Sequence, residues 1–289
     1  MSIRDVKLVA FDMDGTLLNG ASELTEATRE ACQQLRAKGC RLVISSGRTY
    51  KSAQSALAGL AFDGYVCNNG AAIYEQDGRL ASCTPLAPET IIRVVERISQ
   101  RPFYYELHDV ESNRWMVAED REQIKPLLDS ADLAMREHRL RYMSFYKWTQ
   151  TVAKRELFQQ IASGERRITK LFIWHSQPAQ LAWAREQLAP FREAATITSS
   201  GRFNLEVIPL RVSKWRGLQY FLQKWRIPAE AAAAFGDADN DREMLAHVGH
   251  SVAMGNAPDE LKAICRYVAG HHDADGVAAF IREHLLHTP

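Results

Sequence analysis

Two aspartates separated by one residue directly follow a short apolar run near the start of the chain. The segment from Val9 to Thr16 reads VAFDMDGT and places carboxylates at Asp12 and Asp14. An unpaired buried carboxylate costs several kcal/mol of folding free energy, and a second one nearby raises that cost. The pair therefore indicates either a bound cation or a solvated turn, and residues elsewhere in the chain must decide between them.

Phosphoryl transfer is one reaction that needs such a pair. A carboxylate can attack phosphorus to form an aspartyl-phosphate, provided that the repulsion between the two anions is reduced. A hard divalent cation such as Mg²⁺ does this when one or two carboxylates, water and the substrate phosphate bind it. Asp12 and Asp237 can supply these carboxylates. Asp14 can reach the leaving-group oxygen as a general acid and later activate water as a base.

The surrounding pattern predicts that these acids lie at one edge of a parallel sheet. Short apolar runs alternate with amphipathic helices in residues 1–83 and again in residues 210–289, which is typical of a doubly wound α/β fold. Ligands bind at the carboxyl ends of the strands in such sheets. Four such places carry suitable residues: Asp12 with Asp14, Ser46-Gly47-Arg48, Lys214 at a helix start, and GDADND at 236–241.

These positions together predict a phosphate cradle. Lys214 supplies a positive charge and Ser46 a hydroxyl donor, while backbone N–H groups near Met13 and Gly47 complete the set. By themselves a serine and a glycine in a turn are common, so the prediction depends on all four places occurring together.

Other polar residues near the strand ends have open roles. Asn69 and Gly70 either turn the chain or touch the substrate. Arg48 could reach phosphate but is expected to pair with acids of the core. Asp241 is expected to support Asp237 or to add a metal ligand. The pair His271-His272 is expected in a surface loop, since adjacent residues do not share a face of a helix or strand.

Residues 84–209 have more aromatic residues and a looser periodicity, which predicts an inserted α+β domain. The flanking parts would then form one interrupted sheet, because inserting chain into a loop adds closure entropy only slowly. Lys170, in the strand-like TKLFIWH, is a candidate specificity residue. The run 136–148 mixes cations with aromatics, but the charges of the insert nearly balance, which favours a solvated face over nucleic-acid binding.

The composition is that of a soluble globular protein. Hydrophobic residues make up 46% and charged residues 25%, and the formal net charge is +1, so no global field favours nucleic acid or membrane partners. The N-terminus lacks a signal-peptide pattern. Five scattered cysteines predict free thiols in a reducing cytoplasm. The sequence does not indicate an oligomeric state.

Four ordered motifs resemble those of the haloacid dehalogenase superfamily: DMDGT at 12–16, SSG at 45–47, VSK at 212–214 and GDADND at 236–241. The segments NNGA at 68–71, VAMGNA at 252–257 and DGVAAFI at 275–281 resemble its Cof-type branch. That branch carries a large α/β cap of the C2B type between the second and third motifs, where the insert lies. The resemblance covers the core, whereas the cap matches by position and size only.

The resemblance implies a nucleophile at Asp12 and an acid/base at Asp14. It implies Mg²⁺ held by the Asp12 carboxylate, the Asp14 carbonyl and Asp237, and phosphate held by Ser46, Lys214, Asn240 and the Met13 and Gly47 backbone. Two positions differ from the usual pattern. Ser46 stands where threonine is also frequent, and Trp215 stands where the branch usually has glycine, which leaves the substrate size open.

The expected function is a Mg²⁺-dependent phosphatase for a small phosphorylated metabolite such as a sugar phosphate. A phosphomutase or phosphotransferase would share the aspartyl-phosphate and is the first alternative. A phospho-acceptor signalling module is the second, and Asp14 argues against it because an adjacent acid/base hastens breakdown of the intermediate. Fold-level analogy does not identify the substrate.

Overall fold

The computed structural model describes residue 3 and residues 5–129 and 148–286, without the side chains of 125–129. The run 136–148 therefore lies, except for Trp148, outside the described residues. The strands are β1 (Leu8–Phe11), β2 (Arg41–Ser45), β3 (Gly64–Cys67), β4 (Ala72–Glu75), β5 (Leu80–Cys83), β6 (Tyr104–Asp109), β7 (Arg114–Val117), β8 (Gln150–Val152), β9 (Ile168–Trp174), β10 (Ala195–Thr198), β11 (Asn204–Pro209), β12 (Ala232–Gly236), β13 (His250–Ala253) and β14 (Tyr267–Val268). The helices are α1 (Glu26–Ala37), α2 (Tyr50–Ala56), α3 (Pro88–Ile98), α4 (Ala118–Asp129), α5 (Lys154–Ala162), α6 (Pro178–Leu188), α7 (Lys214–Trp225), α8 (Arg242–His247), α9 (Asp259–Lys262) and α10 (Gly276–Phe280).

The chain forms two compact units. Residues 1–83 and 212–289 make the first unit, and residues 84–211 make the second. The second boundary lies two residues beyond the predicted one at 209/210. The first unit thus contains all four motif segments.

The sheet of the first unit confirms the predicted doubly wound fold. Its eight strands have the order β14-β13-β12-β1-β2-β3-β4-β5. Neighbouring strands are parallel from β14 to β3, whereas β4 and β5 add an antiparallel hairpin that the sequence analysis did not predict. Strand β4 runs antiparallel to β3 because Asn68, Asn69 and Gly70 all have positive φ and reverse the chain after β3.

Helices cover both faces of this sheet. Val9 and Phe11 of β1 pack in one apolar cluster with residues of α1 and α2. Leu8 and Ala10 pack in another with residues of α7 and α8. Burial on both faces explains why β1 is an unbroken apolar run, and the strand ends at Asp12.

The second unit contains a six-stranded sheet of order β10-β11-β9-β6-β7-β8. Its strands pair antiparallel except for β7 and β8. Leu107, Leu171 and Val207 belong to one apolar cluster with residues of α3, α5 and α6. Charged and polar side chains occupy alternate positions of the same strands and are also buried: Glu106, His108, Lys170 and Glu206.

None of the helices in the described part of the chain is long and apolar enough to cross a membrane. The five cysteines are all free thiols, and three of them are buried.

Candidate active site

A buried lysine lies between two aspartates from different motifs. Lys214 is the first residue of α7, and its side chain is fully buried. Its Nζ lies 2.6 Å from Asp12 Oδ1 and 2.6 Å from Asp241 Oδ1. Burial and the positive end of the helix dipole both disfavour a cation there. The two carboxylates outweigh the burial and raise the pKa of Lys214, so this ammonium stays charged.

The positive charge of Lys214 does not balance the three carboxylates of Asp12, Asp237 and Asp241. Burial raises the pKa of Asp12; Lys214 opposes this shift, and the charges of Asp241 and Asp237 add to it. Burial and the charge of Asp241 raise the pKa of Asp237 to about 6. Ligand atoms of Asp12, Asp237 and Asp241 all lie within 4.8 Å of one another. Clustered hard oxygen donors with excess negative charge fit a Mg²⁺ ion, which would relieve the repulsion.

The two oxygens of Asp241 are already engaged. Oδ1 accepts from Lys214, and Oδ2 accepts from the backbone N–H groups of Asp237 at 3.0 Å and Ala238 at 3.1 Å. Asp241 therefore stabilises the conformation of the loop that carries Asp237. Asp241 is also fully buried, whereas Asp12 and Asp237 keep some exposure, so Asp12 and Asp237 are the better candidates for direct metal ligands.

Hydrogen bonds hold the carboxylate of Asp237 on both oxygens. Thr16 Oγ1 donates to Oδ1 at 2.9 Å, and Asn256 Nδ2 lies 3.4 Å from Oδ2. Gly15 must be glycine, because its φ is +79° and an added Cβ would lie 2.3 Å from Asp237 Oδ2. Neither Thr16 nor Asn256 was predicted as a site residue, although they lie inside the motif segments DMDGT and VAMGNA.

Asp14 forms a two-point ion pair with Arg48. Arg48 Nε and Nη2 donate to the two Asp14 oxygens at 2.7 and 2.6 Å. Burial opposes the charge of Arg48, but the hydrogen bonds and charge of Asp14 outweigh it and raise the pKa of Arg48. Asp14 is about one-third exposed, unlike buried Asp12. The two acids of the first motif thus occupy different environments.

The second motif follows β2. Ser46 is buried, and its Oγ accepts from the Arg48 N–H at 3.2 Å, so the hydroxyl proton remains able to donate to another group. Gly47 lies between these residues in the same bend. In the first motif, the Met13 carbonyl accepts from Leu18 N at 2.9 Å and closes the turn that carries Asp14.

The turn after β3 connects the other motif segments. Asn240 Nδ2 donates to Asn69 Oδ1 at 3.1 Å, and Asn69 N donates to the Ser46 carbonyl at 3.0 Å. An added Cβ at Gly70 would lie 2.1 Å from the Ser213 carbonyl, and the φ of Gly70 is +99°. Gly70 thus permits the close approach of the residue that precedes Lys214, which is a structural role.

A family model described as haloacid dehalogenase-like hydrolase matches residues 9–281. The chain belongs to the haloacid dehalogenase-like hydrolases. The chain is 28% identical to phosphatase YwpJ of Bacillus subtilis, over 97% of this chain and 100% of that protein. It is also 28% identical to an HMP-PP phosphatase of Serratia proteamaculans, over 98% of this chain and 96% of that one. A solved haloacid dehalogenase-like hydrolase from B. subtilis superposes with a TM-score of 0.82 at 26% identity, covering 96% of this chain and 99% of that one. The predicted family and fold are thereby confirmed.

Two other predicted residues of this hydrolase lie in packed surroundings. Lys170, in the second unit, is buried and forms an ion pair with Glu206 at 3.0 Å. Trp215 is 8% exposed and stacks on His247 at a ring distance of 5.0 Å. Trp215 belongs to the apolar cluster that also contains Leu218, so it has a packing role.

The adjacent histidines lie in a surface turn, and the structure adds a third residue. The side chain of His271 is 51% exposed, and the rings of His271 and His272 stack at 4.7 Å. Asp273 lies near both rings, so the three residues could approach one ion. Asp273 was not among the residues singled out from the sequence.

Proposed function

We propose that this haloacid dehalogenase-like hydrolase is a Mg²⁺-dependent phosphatase that acts on small phosphorylated metabolites through an aspartyl-phosphate at Asp12. The proposal depends above all on the cluster of the buried Asp12, Lys214 and Asp241 with the partly buried Asp237, and on the partly exposed Asp14 two residues from Asp12. The two relatives, phosphatase YwpJ and the HMP-PP phosphatase, are named as phosphatases, which supports the reaction class.

In the first step an Asp12 oxygen attacks phosphorus. The new oxygen–phosphorus bond forms as the bond to the leaving oxygen breaks, and Asp14 donates a proton to that oxygen. In the second step Asp14 takes a proton from water, whose oxygen attacks phosphorus and releases Asp12 and inorganic phosphate. The acid role requires the ion pair of Asp14 with Arg48 to open.

The remaining residues bind the phosphate and the metal. Ser46 donates its hydroxyl proton, Lys214 its third N–H and Asn240 its second amide N–H to phosphate oxygens, together with the backbone of Met13 and Gly47. The ligands of Mg²⁺ would be the carboxylates of Asp12 and Asp237 and the Asp14 carbonyl. When bound, the ion neutralises charge between the carboxylates and the phosphate.

The second unit, residues 84–211, would act as a cap that excludes water and contacts the leaving group. Lys170 is a candidate specificity residue of this cap. Because Lys170 is paired with Glu206, it would act on a substrate as part of that pair.

A metabolite screen tests the proposal. Sugar phosphates, nucleotides and pyridoxal phosphate, each with Mg²⁺, should include substrates that release inorganic phosphate at the rate at which they are consumed. The Asp12→Asn protein is the blank. Substrate loss without equal phosphate release would favour phosphotransfer, and a long-lived phospho-Asp12 would favour a signalling module. Absence of turnover on all phosphomonoesters would contradict the proposal.

Mg²⁺ should stabilise the EDTA-treated protein more at pH 8 than at pH 5. The pKa of Asp237 is raised to about 6 and that of Asp12 is also raised, so protons compete with the ion at low pH. At a Mg²⁺ concentration 100 times the dissociation constant, stability should rise by about 2.7 kcal/mol at pH 8. Thermal unfolding measures the shift, with NaCl of equal ionic strength as the control. Equal shifts at the two pH values, or full turnover in EDTA, would refute the metal assignment.

A further inference from the structure

We propose that Asn256 is a positioning residue that sets the orientation of the Asp237 carboxylate toward the metal. The inference rests on the proposed function, since it concerns the Mg²⁺ ligands of the same site. Asn256 follows β13, so it is separate in sequence from the four motifs that supply the catalytic groups.

The amide of Asn256 connects three loops of the first unit. Its Nδ2 donates to the Gly15 carbonyl at 2.8 Å and lies 3.4 Å from Asp237 Oδ2. Its Oδ1 accepts from the His272 N–H at 3.2 Å. The three partners lie in the turn after β1, the loop after β12 and the turn before α10. One side chain therefore fixes the distances between the loops that carry Asp12 and Asp237.

The chemistry of these partners requires an amide at this position. The Gly15 carbonyl and the Asp237 carboxylate both need a donor, whereas the His272 N–H needs an acceptor. An asparagine side chain provides two donors and an acceptor on one short stem. This set of partners also determines which way the amide is oriented.

Asn256 acts on Asp237 together with Thr16. Thr16 donates to Oδ1 of the carboxylate, and the Asn256 amide approaches Oδ2. Donors on both oxygens restrict rotation of the carboxylate about its Cβ–Cγ bond. Groups that orient metal ligands in this way typically contribute 10–100-fold in metal affinity. We therefore expect Asn256 to affect Mg²⁺ binding more than the chemical step.

The test compares Asn256→Ala with Asn19→Ala by titrating Mg²⁺ calorimetrically into EDTA-treated and desalted protein. Asn19 is a matched control, because its Oδ1 accepts from Ala21 N and Glu23 N within its own turn. Asn256→Ala should raise the Mg²⁺ dissociation constant about 10–100-fold, and kcat at saturating Mg²⁺ should recover to within about 3-fold of wild type. Asn19→Ala should leave the dissociation constant within about 2-fold.

A second variant, Asn256→Leu, keeps the approximate shape of the side chain and removes its donor and acceptor, and it should behave like Asn256→Ala. A folded Asn256 variant with wild-type Mg²⁺ affinity would overturn the inference while leaving the proposed function intact. If circular dichroism shows that Asn256→Ala and Asn256→Leu both fail to fold, Asn256 has a structural role only and the inference is also wrong. Wild-type protein that binds no Mg²⁺ would contradict the metal part of the proposed function as well.

Discussion

Replacement of Asp12 by asparagine should lower turnover at least about 1,000-fold without destabilising the protein. An amide has the shape of the carboxylate but is a poor nucleophile toward phosphorus, and loss of a nucleophile removes most of the catalysis that the site provides. Turnover is measured as phosphate release with the best substrate of the screen. Near-normal turnover by a verified Asp12→Asn protein would exclude Asp12 as the nucleophile.

The same variant separates chemistry from folding. Lys214 would keep Asp241 as its partner, while the repulsion among the three carboxylates would fall. Since burial raises the pKa of Asp12, its ionisation opposes folding increasingly as the pH rises above about 4. In EDTA at pH 8, Asp12→Asn should therefore unfold at the same temperature as wild type or a higher one.

Asp239→Asn is the matched control for this experiment. Asp239 lies in the GDADND segment with Asp237, but its side chain is 65% exposed and pairs with Arg242 at the surface. Surface pairs of this kind contribute about 0–1 kcal/mol. Turnover of the control should stay within about 2-fold of wild type. A large loss in the control would mean that charge in this loop, rather than the identity of the nucleophile, determines the rate.

The sequence predicted the first unit well because its strands are buried on both faces. Such strands are short apolar runs that end at polar residues, and β1 is the clearest example. The strands of the second unit were harder to predict from the sequence. In strand β6 the polar residues Glu106 and His108 are buried like Leu107 between them, so residue polarity does not distinguish a core face from a solvent face. Its polar groups are buried with partners; His108 Nε2, for example, lies 2.8 Å from Glu106 Oε2.

The motifs located the site, but pairings within it depend on the fold. Sequence spacing placed Asp12, Lys214 and Asp237 at strand ends and helix starts. It could not show that Asp241 has both oxygens engaged, or that Thr16 binds a carboxylate 221 positions away. It also could not show that a Cβ added at Gly70 would lie 2.1 Å from the Ser213 carbonyl. Hydrogen bonds between distant loops leave no periodic signal in the chain.

Replacement of Lys214 by methionine should destabilise the protein by about 3–5 kcal/mol at neutral pH, because removing one partner of a buried ion pair leaves uncompensated charge. The variant should also lose most of its turnover. Without Lys214, which lowers the pKa of Asp12, that pKa should rise further. The stability lost by the variant should therefore shrink as the pH falls through the range in which Asp12 takes up a proton, until Asp12 is protonated in wild type and variant alike. Urea unfolding across this pH range measures the effect.

Lys224→Met, on the same helix, is the control for this prediction. The Lys224 side chain is 39% exposed and pairs with Glu75, which is buried but keeps the hydrogen bond from Tyr220 and the ion pair with Arg79. Loss of Lys224 should therefore cost no more than about 1 kcal/mol. Both variants remove a lysine from α7, but only Lys214 is buried between carboxylates. The difference between their losses of stability therefore measures the effect of that burial. Two results would contradict a charged ammonium between ionised acids. One is a loss of stability in Lys214→Met as small as that in Lys224→Met, and the other is a loss in Lys214→Met that grows as the pH falls toward 4. The cluster would then be held by shared protons, and its excess negative charge, which is the reason to expect a cation there, would be absent.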